Sequence, residues 1–567
     1  MSRHLRELRG VGVGSRGAVG PAVRVNPAPG VPADEPRPAS ADDRARDVAR
    51  LEAALTSVTR DLDAAAALHE GETLGDVLLA TSQMAEDPAL LSESIALVEA
   101  GMGPAHAITQ VAGQFADLFV AAGGYLAERV SDLNSVRDRV VARLTGQPDP
   151  GLTDLAEPAV LIAHDLTPAD TSTLDLAKIL AICTEAGGPT AHTAIIARQL
   201  GLPCVVQVAG LMEIPEGTLL AVESSSGTVT IEPDISVQAR ISERAARNTI
   251  FDADLEPATT SDGHRIPLLA NVGTVADGLS AGVAAVEGVG LLRTEVLFLG
   301  ASLEPSIEVQ ASAYAEVLQA FVGRKVVVRT LDAGADKPLA FATMPGEENP
   351  ALGVRGYRLV RTLPNLIANQ LEALGRASAA VPGTELWVMA PMIATLQEAA
   401  DFAALARGAG LDKVGVMIEV PSAALRASQL LEVVDFVSLG TNDLGQYTMA
   451  ADRMAGELSD ILDMWQPAVL DLVAMTASAG IASGRPVGVC GESASDPLMA
   501  LVLTGLGVTS LSMSTSALGE VRYALRHTSL DTCQAMARAA LAAGSPTEAR
   551  DAAAALLSDD LGHMLDL

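Results

Sequence analysis

The C-terminal half of the chain alternates short apolar segments with longer alanine-rich segments of helical periodicity. Short apolar runs are typical of buried strands, and the amphipathic runs between them are typical of helices. Eight such strands, each followed by a helix, within about 250 residues predict a (β/α)8 barrel of the TIM type. The predicted strands are residues 267–273, 288–298, 325–332, 386–393, 413–421, 436–443, 487–492 and 510–514.

Residues 41–144 show a different pattern, in which apolar positions recur with helical spacing and short breaks separate the runs. Helices in series with short connections predict a small helical bundle. Nothing in these helices is catalytic by residue chemistry alone, so a purely structural bundle is one interpretation. The predicted helices are residues 41–70, 74–84, 88–100, 104–120 and 125–144.

The segment after the bundle predicts a compact α/β domain. A strand that ends at Val25, before the bundle, is expected to complete its sheet, so the domain is discontinuous and the bundle is inserted into it. Residues 235–251 are charged and helical in pattern, which predicts a link to the barrel. The strands of this domain are predicted at residues 159–164, 179–183, 204–208, 218–222 and 228–232.

The composition narrows the class of protein. With 70 acidic and 38 basic residues, the formal net charge is −32, which argues against nucleic-acid binding and permits a basic protein partner. An acidic surface that serves solubility alone is the alternative. Four cysteines without metal-site spacing, and an N-terminus without an apolar signal-peptide core, predict a reduced, cytoplasmic protein. The most membrane-like window, residues 108–127, contains Asp117 and two glutamines, so we expect a buried helix there instead of a membrane span.

Polar residues cluster near the C-terminal ends of the predicted barrel strands, the rim at which TIM-barrel active sites are built. Guanidinium groups bind phosphate bidentately, and a Glu/Asp pair completed by substrate and water oxygens suits Mg²⁺. The set therefore predicts phosphoryl transfer at the rim, and the absence of a GxxxxGK[ST] segment removes the P-loop route to ATP. For any single arginine the alternative is a surface salt bridge. The residues are Arg293, Arg329, Asp332, Glu419, Asn442, Asp443, Cys490 and Glu492, with Arg355 in the loop at 347–358.

His192 is the candidate nucleophile. It lies in GGPTAHTAIIAR, residues 187–198, where two glycines and a proline precede it and a helical run follows. A histidine at or just before a helix N-terminus has free backbone N–H groups beside it that favour an anion, and its imidazole can attack as a nucleophile. A cap or surface role is the alternative for such a histidine.

Several segments together resemble enzyme I of the phosphoenolpyruvate-dependent sugar phosphotransferase system, a family of phosphoenolpyruvate–protein phosphotransferases. The resemblance implies that His192 takes the phosphoryl group of phosphoenolpyruvate and passes it to the phosphocarrier protein HPr, releasing pyruvate, as the first step of sugar uptake. The segments are GGPTAHTAIIAR, GVGLLRTEVLF, VVVRTLDAGADKPL, EENPALGVRGYR, GVMIEVPSAA, SLGTNDLGQYTMAADR and GVCGE.

The resemblance also implies a role for each site residue. His192 and Cys490 are catalytic, and Cys490 protonates the enolate carbon; a buried small hydrophobe is the alternative for this cysteine. Glu419 and Asp443 ligate Mg²⁺. The substrate phosphate and carboxylate are bound by Arg293, Arg329, Arg355, Lys337, Asn442, Asp443 and Arg453.

The domain organisation and partners follow from the same resemblance. Residues 1–30 and 146–233 are expected to form the phosphohistidine domain, with an HPr-binding helical domain at 31–145. Residues 234–255 are the predicted linker helix, and 256–567 the phosphoenolpyruvate-binding barrel, through which the family forms homodimers. His192 and the barrel lie on different domains, so we expect a swivelling domain with hinges near 145–150 and 233–250.

Two other functions are compatible with parts of this pattern. A phosphoenolpyruvate synthase or pyruvate phosphate dikinase would share the barrel and the histidine but would need a large ATP-binding domain, for which 567 residues leave no room. A regulatory protein with an inactive barrel would be expected to have lost His192, Glu419, Asp443 or the arginines, all of which are present.

Overall fold

The computed structural model forms two compact units, residues 1–246 and 247–567. The structure describes residues 6–13, 16–25, 29–68, 73–122, 129–151, 155, 157–166, 178–187, 193–194, 197, 202–298, 301, 303–333, 339, 341–344, 346–452, 458 and 461–567.

The second unit contains a closed barrel of eight parallel strands, β9 to β16, and this confirms the predicted TIM architecture. Each strand pairs with its sequence neighbours, and β16 closes the barrel by pairing with β9, as in the register Ser512↔Leu269. The strands are β9 Leu268–Val272, β10 Gly288–Arg293, β11 Lys325–Arg329, β12 Glu385–Ala390, β13 Lys413–Ile418, β14 Phe436–Leu439, β15 Val487–Val489 and β16 Ser510–Met513.

Several strands end earlier than the apolar pattern predicts. The segment predicted at 288–298 leaves the sheet after Arg293 and becomes a 3-10 turn at Val296–Phe298. The segment at 436–443 ends at Leu439, and a helix begins at Thr441. The residues that follow both strands are largely buried, and burial does not distinguish a strand from a covered loop or helix start.

Helices surround the barrel and are capped by nearby side chains. Thr274 and Thr395 each form a capping box with the acidic residue three positions later, which satisfies two free backbone N–H groups at each helix start. After a linking helix, α6, at Ile235–Ala253, the helices are α7 Val275–Val283, α8 Ile307–Gln319, α9 Pro364–Ala380, α10 Leu396–Gly408, α11 Pro421–Leu425, α12 Ala427–Val433, α13 Thr441–Met449, α14 Pro467–Ser483, α15 Pro497–Leu506, α16 Leu518–Arg526, α17 Leu530–Leu541, α18 Pro546–Ala554 and α19 Asp559–Met564.

The first unit contains the predicted helical bundle. Its core is made of aliphatic side chains such as Leu51, Ile108 and Val136, all with 0% exposure. Of the helices in the described parts of the chain, none has both the length and the apolar character needed to span a membrane. The bundle helices are α1 Ala41–Leu68, α2 Thr73–Ala85, α3 Pro88–Glu99, α4 Pro104–Ala122 and α5 Val130–Thr145.

The first unit also contains an eight-stranded α/β sheet to which strands from before and after the bundle contribute, as predicted. Strands β3 to β6 run parallel, while β1, β2, β7 and β8 pair antiparallel, in the order β1-β8-β7-β3-β4-β5-β6-β2. The two shortest N-terminal strands therefore lie at opposite ends of the order. The strands are β1 Arg6–Arg9, β2 Val11–Val13, β3 Gly17–Arg24, β4 Ala159–Ala163, β5 Ile179–Thr184, β6 Cys204–Val206, β7 Leu219–Glu223 and β8 Thr228–Ile231.

Candidate active site

One cavity at the C-terminal ends of the barrel strands brings together seven of the predicted site residues. We call it the site cavity; its empty volume is about 470 Å³. Asp332, which the sequence also places near a strand end, lines it as well. The seven residues are Arg293, Arg329, Arg355, Glu419, Asn442, Asp443 and Cys490.

The strand ends explain this convergence. Arg293 and Arg329 are the last residues of β10 and β11, and Glu419 and Cys490 directly follow β13 and β15. Asn442 and Asp443 occupy the first turn of α13, which begins two residues after β14. Parallel strands of a barrel deliver their C-terminal residues to one rim, so residues far apart in sequence meet there.

Arg355 is held by a two-pronged bond to Asp332. Its Nε donates to Asp332 Oδ1 at 3.0 Å and its Nη2 donates to Asp332 Oδ2 at 2.7 Å. Its Nη1 donates to Asp443 Oδ1 at 3.0 Å and to the Tyr447 hydroxyl at 3.2 Å. The side chain is almost fully buried, and burial opposes its charge, but the two carboxylates outweigh burial and raise its pKa. Arg355 is thus a fixed cation in the site cavity.

Arg329 is oriented by Glu295 and, at longer distances, by Asp332 and Glu419. Its Nη2 donates to Glu295 Oε1 at 2.6 Å, and its Nη1 lies 3.3 Å from Asp332 Oδ2 and 3.9 Å from Glu419 Oε1. Although burial again opposes the charge, these carboxylates raise the pKa of Arg329. Glu295, which is itself fully buried, was not predicted as a site residue; the signal available was an acid two residues after Arg293 in the mainly apolar segment at 288–298.

Glu419 is a buried carboxyl group in an acidic setting. Burial, followed by the charges of Asp443 and Asp332, raises its pKa to about 8, against the opposing effects of Arg329 and of the Met392 N–H. That N–H donates to Glu419 Oε2 at 2.9 Å. Met392 has a φ of 59°, in the left-handed region, which costs a non-glycine residue about 1–3 kcal/mol. The backbone is therefore strained at the point where it orients Glu419.

Two carboxyl groups in the site cavity would be favoured by a bound cation. Glu419 and Asp443 both line the site cavity, and the negative charge of Asp443 is among the causes that raise the pKa of Glu419; a cation between them would relieve this repulsion. Within the described ranges, no group of three or more His, Cys, Asp and Glu side chains is arranged to hold a metal ion. Glu419 and Asp443 could hold one as a pair, with substrate and water oxygens as the remaining ligands, and an all-oxygen shell of this kind suits Mg²⁺.

Cys490 faces the same space and is held by four hydrogen bonds. Its N–H donates to the Leu439 carbonyl at 3.1 Å and its carbonyl accepts from Asn271 Nδ2 at 3.2 Å. The sulfur accepts from Ser438 Oγ at 3.2 Å and donates to the Leu439 carbonyl at 3.7 Å. Burial is the main cause that raises the pKa of Cys490 to about 11. The group is therefore a thiol near neutral pH and carries a proton that it can donate.

Three family models match most of this chain. The phosphoenolpyruvate-binding domain of phosphoenolpyruvate-utilising enzymes matches residues 250–530, their mobile domain matches 155–227, and their N-terminal domain matches 9–129. A phosphoenolpyruvate-protein phosphotransferase of Streptomyces coelicolor is 50% identical over 556 residues, which cover 98% of this chain and 99% of the relative. The chain belongs to the phosphoenolpyruvate-protein phosphotransferase family.

Further relatives agree with this assignment. A phosphoenolpyruvate-protein phosphotransferase of Haloferax volcanii is 37% identical and covers 96% of this chain and 98% of its own length. One of Staphylococcus carnosus is 38% identical over 78% of this chain and 80% of its own length. The predicted family and the predicted class of enzyme, a phosphotransferase, are confirmed, and enzymes of this family use a metal ion.

Three residues that the family resemblance assigns to the site, His192, Lys337 and Arg453, lie outside the described residues. Next to His192, Thr193 and Ala194 are helical and buried, and Thr193 Oγ1 donates to the Leu166 carbonyl at 3.2 Å. Glu492, which the sequence places at a strand end, is exposed, and its N–H donates to Asn442 Oδ1 at 3.1 Å. In this phosphotransferase Glu492 therefore orients Asn442 through its backbone.

Proposed function

We propose that the protein takes the phosphoryl group of phosphoenolpyruvate onto its own His192, releases pyruvate, and passes the phosphoryl group to the phosphocarrier protein HPr. The observation that carries this proposal is the site cavity, where seven predicted residues from five barrel segments and one loop meet. Family membership supports the use of phosphoenolpyruvate and of a protein as phosphoryl acceptor. This reaction is the first step of sugar uptake by the phosphotransferase system.

The arginines bind the substrate anions in this proposal. Arg293, Arg329 and Arg355 hold the phosphate and carboxylate of phosphoenolpyruvate, and Asn442 contacts the carboxylate. Lys337 and Arg453 add positive charge to the same site. Asp332 and Glu295 already fix two of the guanidinium groups in the absence of substrate. Substrate binding therefore costs little conformational entropy of these side chains.

Glu419 and Asp443 hold Mg²⁺ in this proposal, and the repulsion from Asp443 that helps to raise the pKa of Glu419, which a cation would relieve, supports it. When bound, the ion neutralises charge on the phosphoryl and enolate oxygens. The protein keeps the two carboxylates in place by the Met392 N–H on Glu419 and by Arg355 on Asp443. Asp443 also contributes to the substrate site.

Cys490 supplies the proton that converts the enolate to pyruvate in this proposal. When His192 attacks phosphorus, the bond between phosphorus and the enol oxygen breaks and the electron pair stays on the enolate. The C3 carbon of the enolate then takes the proton of the Cys490 thiol, which forms the methyl group of pyruvate and leaves a thiolate. The raised pKa of Cys490 keeps that proton in place until the enolate forms.

The domain roles belong to the same proposal. The swivelling phosphohistidine domain consists of residues 1–30 and 146–233, and the inserted helical domain that binds HPr consists of residues 31–145. A linker helix at 234–255 joins the phosphohistidine domain to the barrel, and the barrel at 256–567 also forms the homodimer contact. The match of the mobile-domain model to residues 155–227 supports the placement of His192 on a moving domain. The net charge of −32 suits a basic phosphocarrier.

The test is labelling with radioactive phosphoenolpyruvate and Mg²⁺, followed by a chase with HPr. We expect wild type to take up acid-labile label and to transfer it to HPr, and His192→Ala to take up none. His164→Ala is the matched control, because His164 belongs to the same α/β sheet region but is 73% exposed and paired with Glu185; it should label normally. Label on His192→Ala, or label supplied by ATP, would refute the proposal.

A further inference from the structure

A cavity with several arginines in its lining lies in the first unit, beside the start of the linking helix α6, and we call it the linker pocket. Its empty volume is about 240 Å³, below the roughly 300–1,000 Å³ of pockets that enclose drug-sized ligands. Its lining residues all fall within residues 1–246. A pocket of this size suits a small ligand. The polar and charged residues that line it are Arg16, Glu223, Ser225, Arg240 and Arg244.

The helix side of the linker pocket is anchored by Ile241. Its side chain is 4% exposed, and it packs so close to the sheet that a Cβ at Gly17 would lie 3.4 Å from its Cγ2. Arg240 and Arg244 are four residues apart in the same stretch of α6. Residues with this spacing share one face of a helix, with about 5–6 Å between their Cβ atoms. The anchored helix therefore presents both guanidinium groups to the pocket.

The sheet side contributes the third arginine and the acid. Gly17 and Glu223 are partners in the register of β3 against β7. Arg16 directly precedes β3, and its carbonyl accepts the Ser224 N–H at 3.0 Å. The backbone that carries Arg16, Glu223 and Ser225 is thus held by the sheet and its adjoining turn, so the wall opposite α6 does not depend on the helix for its shape.

The charge of the linker pocket is opposite to that of the chain. Among the residues that the structure describes, its lining holds three guanidinium groups and one carboxylate, whereas the whole chain has 70 acidic and 38 basic residues. The Glu223 carboxylate is bonded through both oxygens to Arg240, with Nη2 to Oε2 at 2.8 Å. Like charges four residues apart also destabilise a helix. An anion in contact with Arg16 and Arg244 would offset the repulsion among these guanidinium groups.

We propose that the linker pocket binds a small phosphate-type anion, either inorganic phosphate or the phosphate group of a monoester. Guanidinium groups bind phosphate oxygens through paired, charge-assisted N–H donors, and the Ser225 hydroxyl supplies a further donor. Because Arg16 belongs to the sheet side and Arg244 to α6, the bound anion bridges the two and holds the first half of the linking helix on the α/β sheet. No residue is shared by the linings of the linker pocket and the site cavity, so this site does not depend on the function proposed above.

The test is hydrogen exchange of the full chain, measured by mass spectrometry during titration with inorganic phosphate or glycerol 3-phosphate, against sodium chloride of equal ionic strength. We expect the phosphate compounds to slow exchange severalfold in peptides from residues 235–246, and chloride to have no such effect. Slowing by glycerol 3-phosphate at lower concentrations than by inorganic phosphate would identify a monoester as the ligand, and the reverse order or equal concentrations would identify the free ion. No slowing by either, or equal slowing by chloride, would overturn the proposal.

Two substitutions test the two sides of the linker pocket. Arg244→Gln on α6 and Arg16→Gln before β3 each remove one charged donor group and leave the pair of Arg240 with Glu223 in place. We expect each to raise the phosphate concentration at half-maximal slowing by at least about tenfold. Arg60→Gln removes the same charge from a 76% exposed side chain on α1, and it should titrate as wild type does.

The outcome is read against two internal controls. Without phosphate, exchange in residues 235–246 and labelling from phosphoenolpyruvate should match wild type in all three variants, which shows that the fold and the site cavity are intact. Phosphate bound at the barrel rim is read separately, in peptides from residues 413–443. A wild-type titration in either Arg16→Gln or Arg244→Gln, or an equal shift in Arg60→Gln, would refute the site and leave the proposed reaction unaffected.

Discussion

Arg355 and Asp332 form a forked ion pair inside the barrel rim, with both carboxylate oxygens engaged at 3.0 and 2.7 Å. The pair is buried, and the third nitrogen of the guanidinium group continues to Asp443. A fork of this kind fixes the plane of the guanidinium group as well as its position. Asp332 therefore acts as the support of a substrate-binding arginine.

Removal of this support should weaken substrate binding. We expect Asp332→Asn to lower kcat/KM for phosphoenolpyruvate by about 10- to 100-fold, because a hydrogen bond to a charged group contributes about 1.5–3 kcal/mol. The measurement is pyruvate release in a coupled assay with HPr as acceptor. Asp401→Asn, which alters an exposed acid on α10, is the control and should behave as wild type; equal losses in both variants would contradict the prediction.

Gly440 is required by the Glu419 carboxyl group. A Cβ at this position would lie 2.7 Å from Glu419 Cγ and 2.9 Å from its Oε1. We expect Gly440→Ala to displace the carboxylate and to reduce activity at saturating Mg²⁺ by about 100-fold or more, since small displacements of catalytic groups have effects of this size. Activity as a function of Mg²⁺ concentration is the measurement.

Gly445→Ala is the matched control for that variant. Gly445 lies in α13, the helix that begins directly after Gly440, and a Cβ there would meet nothing within 4 Å. Alanine favours the helix more than glycine does, so Gly445→Ala should keep activity and be slightly more stable. If Gly440→Ala and Gly445→Ala both kept wild-type activity, the close approach of Gly440 to Glu419 would not be required for activity.

Glu419 should make the metal-free protein less stable as the pH rises. Its pKa is about 8 in the folded state against an ordinary value of 4.5, so the folded state binds more protons between these values and loses stability as the pH increases through them. In EDTA, we expect Glu419→Gln to melt above wild type by about 2–5 °C at pH 8.5 and by less at pH 5. Differential scanning calorimetry at both pH values is the measurement, and a difference independent of pH would contradict it.

Glu35 should stabilise the start of helix α4. Its carboxylate accepts the N–H groups of Ala105 and His106 at 2.9 and 3.0 Å, and lies 2.7 Å from His106 Nδ1. Loss of a cap that satisfies free N–H groups costs about 0.5–2 kcal/mol. We expect Glu35→Ala to speed hydrogen exchange of the α4 amides severalfold, measured by mass spectrometry. Glu52→Ala, at an exposed position of α1, should leave α4 unchanged.

The sequence predicted the barrel because each strand is an apolar run separated from the next by a helical pattern, and it predicted the rim because a charged residue at the end of an apolar run is unusual. Arg293, Arg329 and Glu419 were found in this way. The carboxylates that hold the arginines in place were not found, because these contacts join residues that are distant in sequence. Asp332 bonds to Arg355, which lies in a later loop, and Glu295, which follows β10, bonds to Arg329 at the end of the neighbouring strand β11.

The contact between Ser438 and Cys490 could not be predicted either. Ser438 stands in an apolar strand, where a serine is usually a neutral core residue, and only the register of β14 against β15 brings it to Cys490. Met392 gives no sequence signal at all, because its left-handed backbone is imposed by its surroundings.

The positions of β1 and β2 have a consequence for biosynthesis. Although these strands precede the other strands of the sheet in the chain, their partners are Thr228–Ile231 and Cys204–Val206. During synthesis they must therefore remain unpaired until the helical segment and the later strands have been translated. The sheet is completed only by the last of its strands, so a nascent chain truncated before residue 228 should leave β1 without its partner and open to proteases.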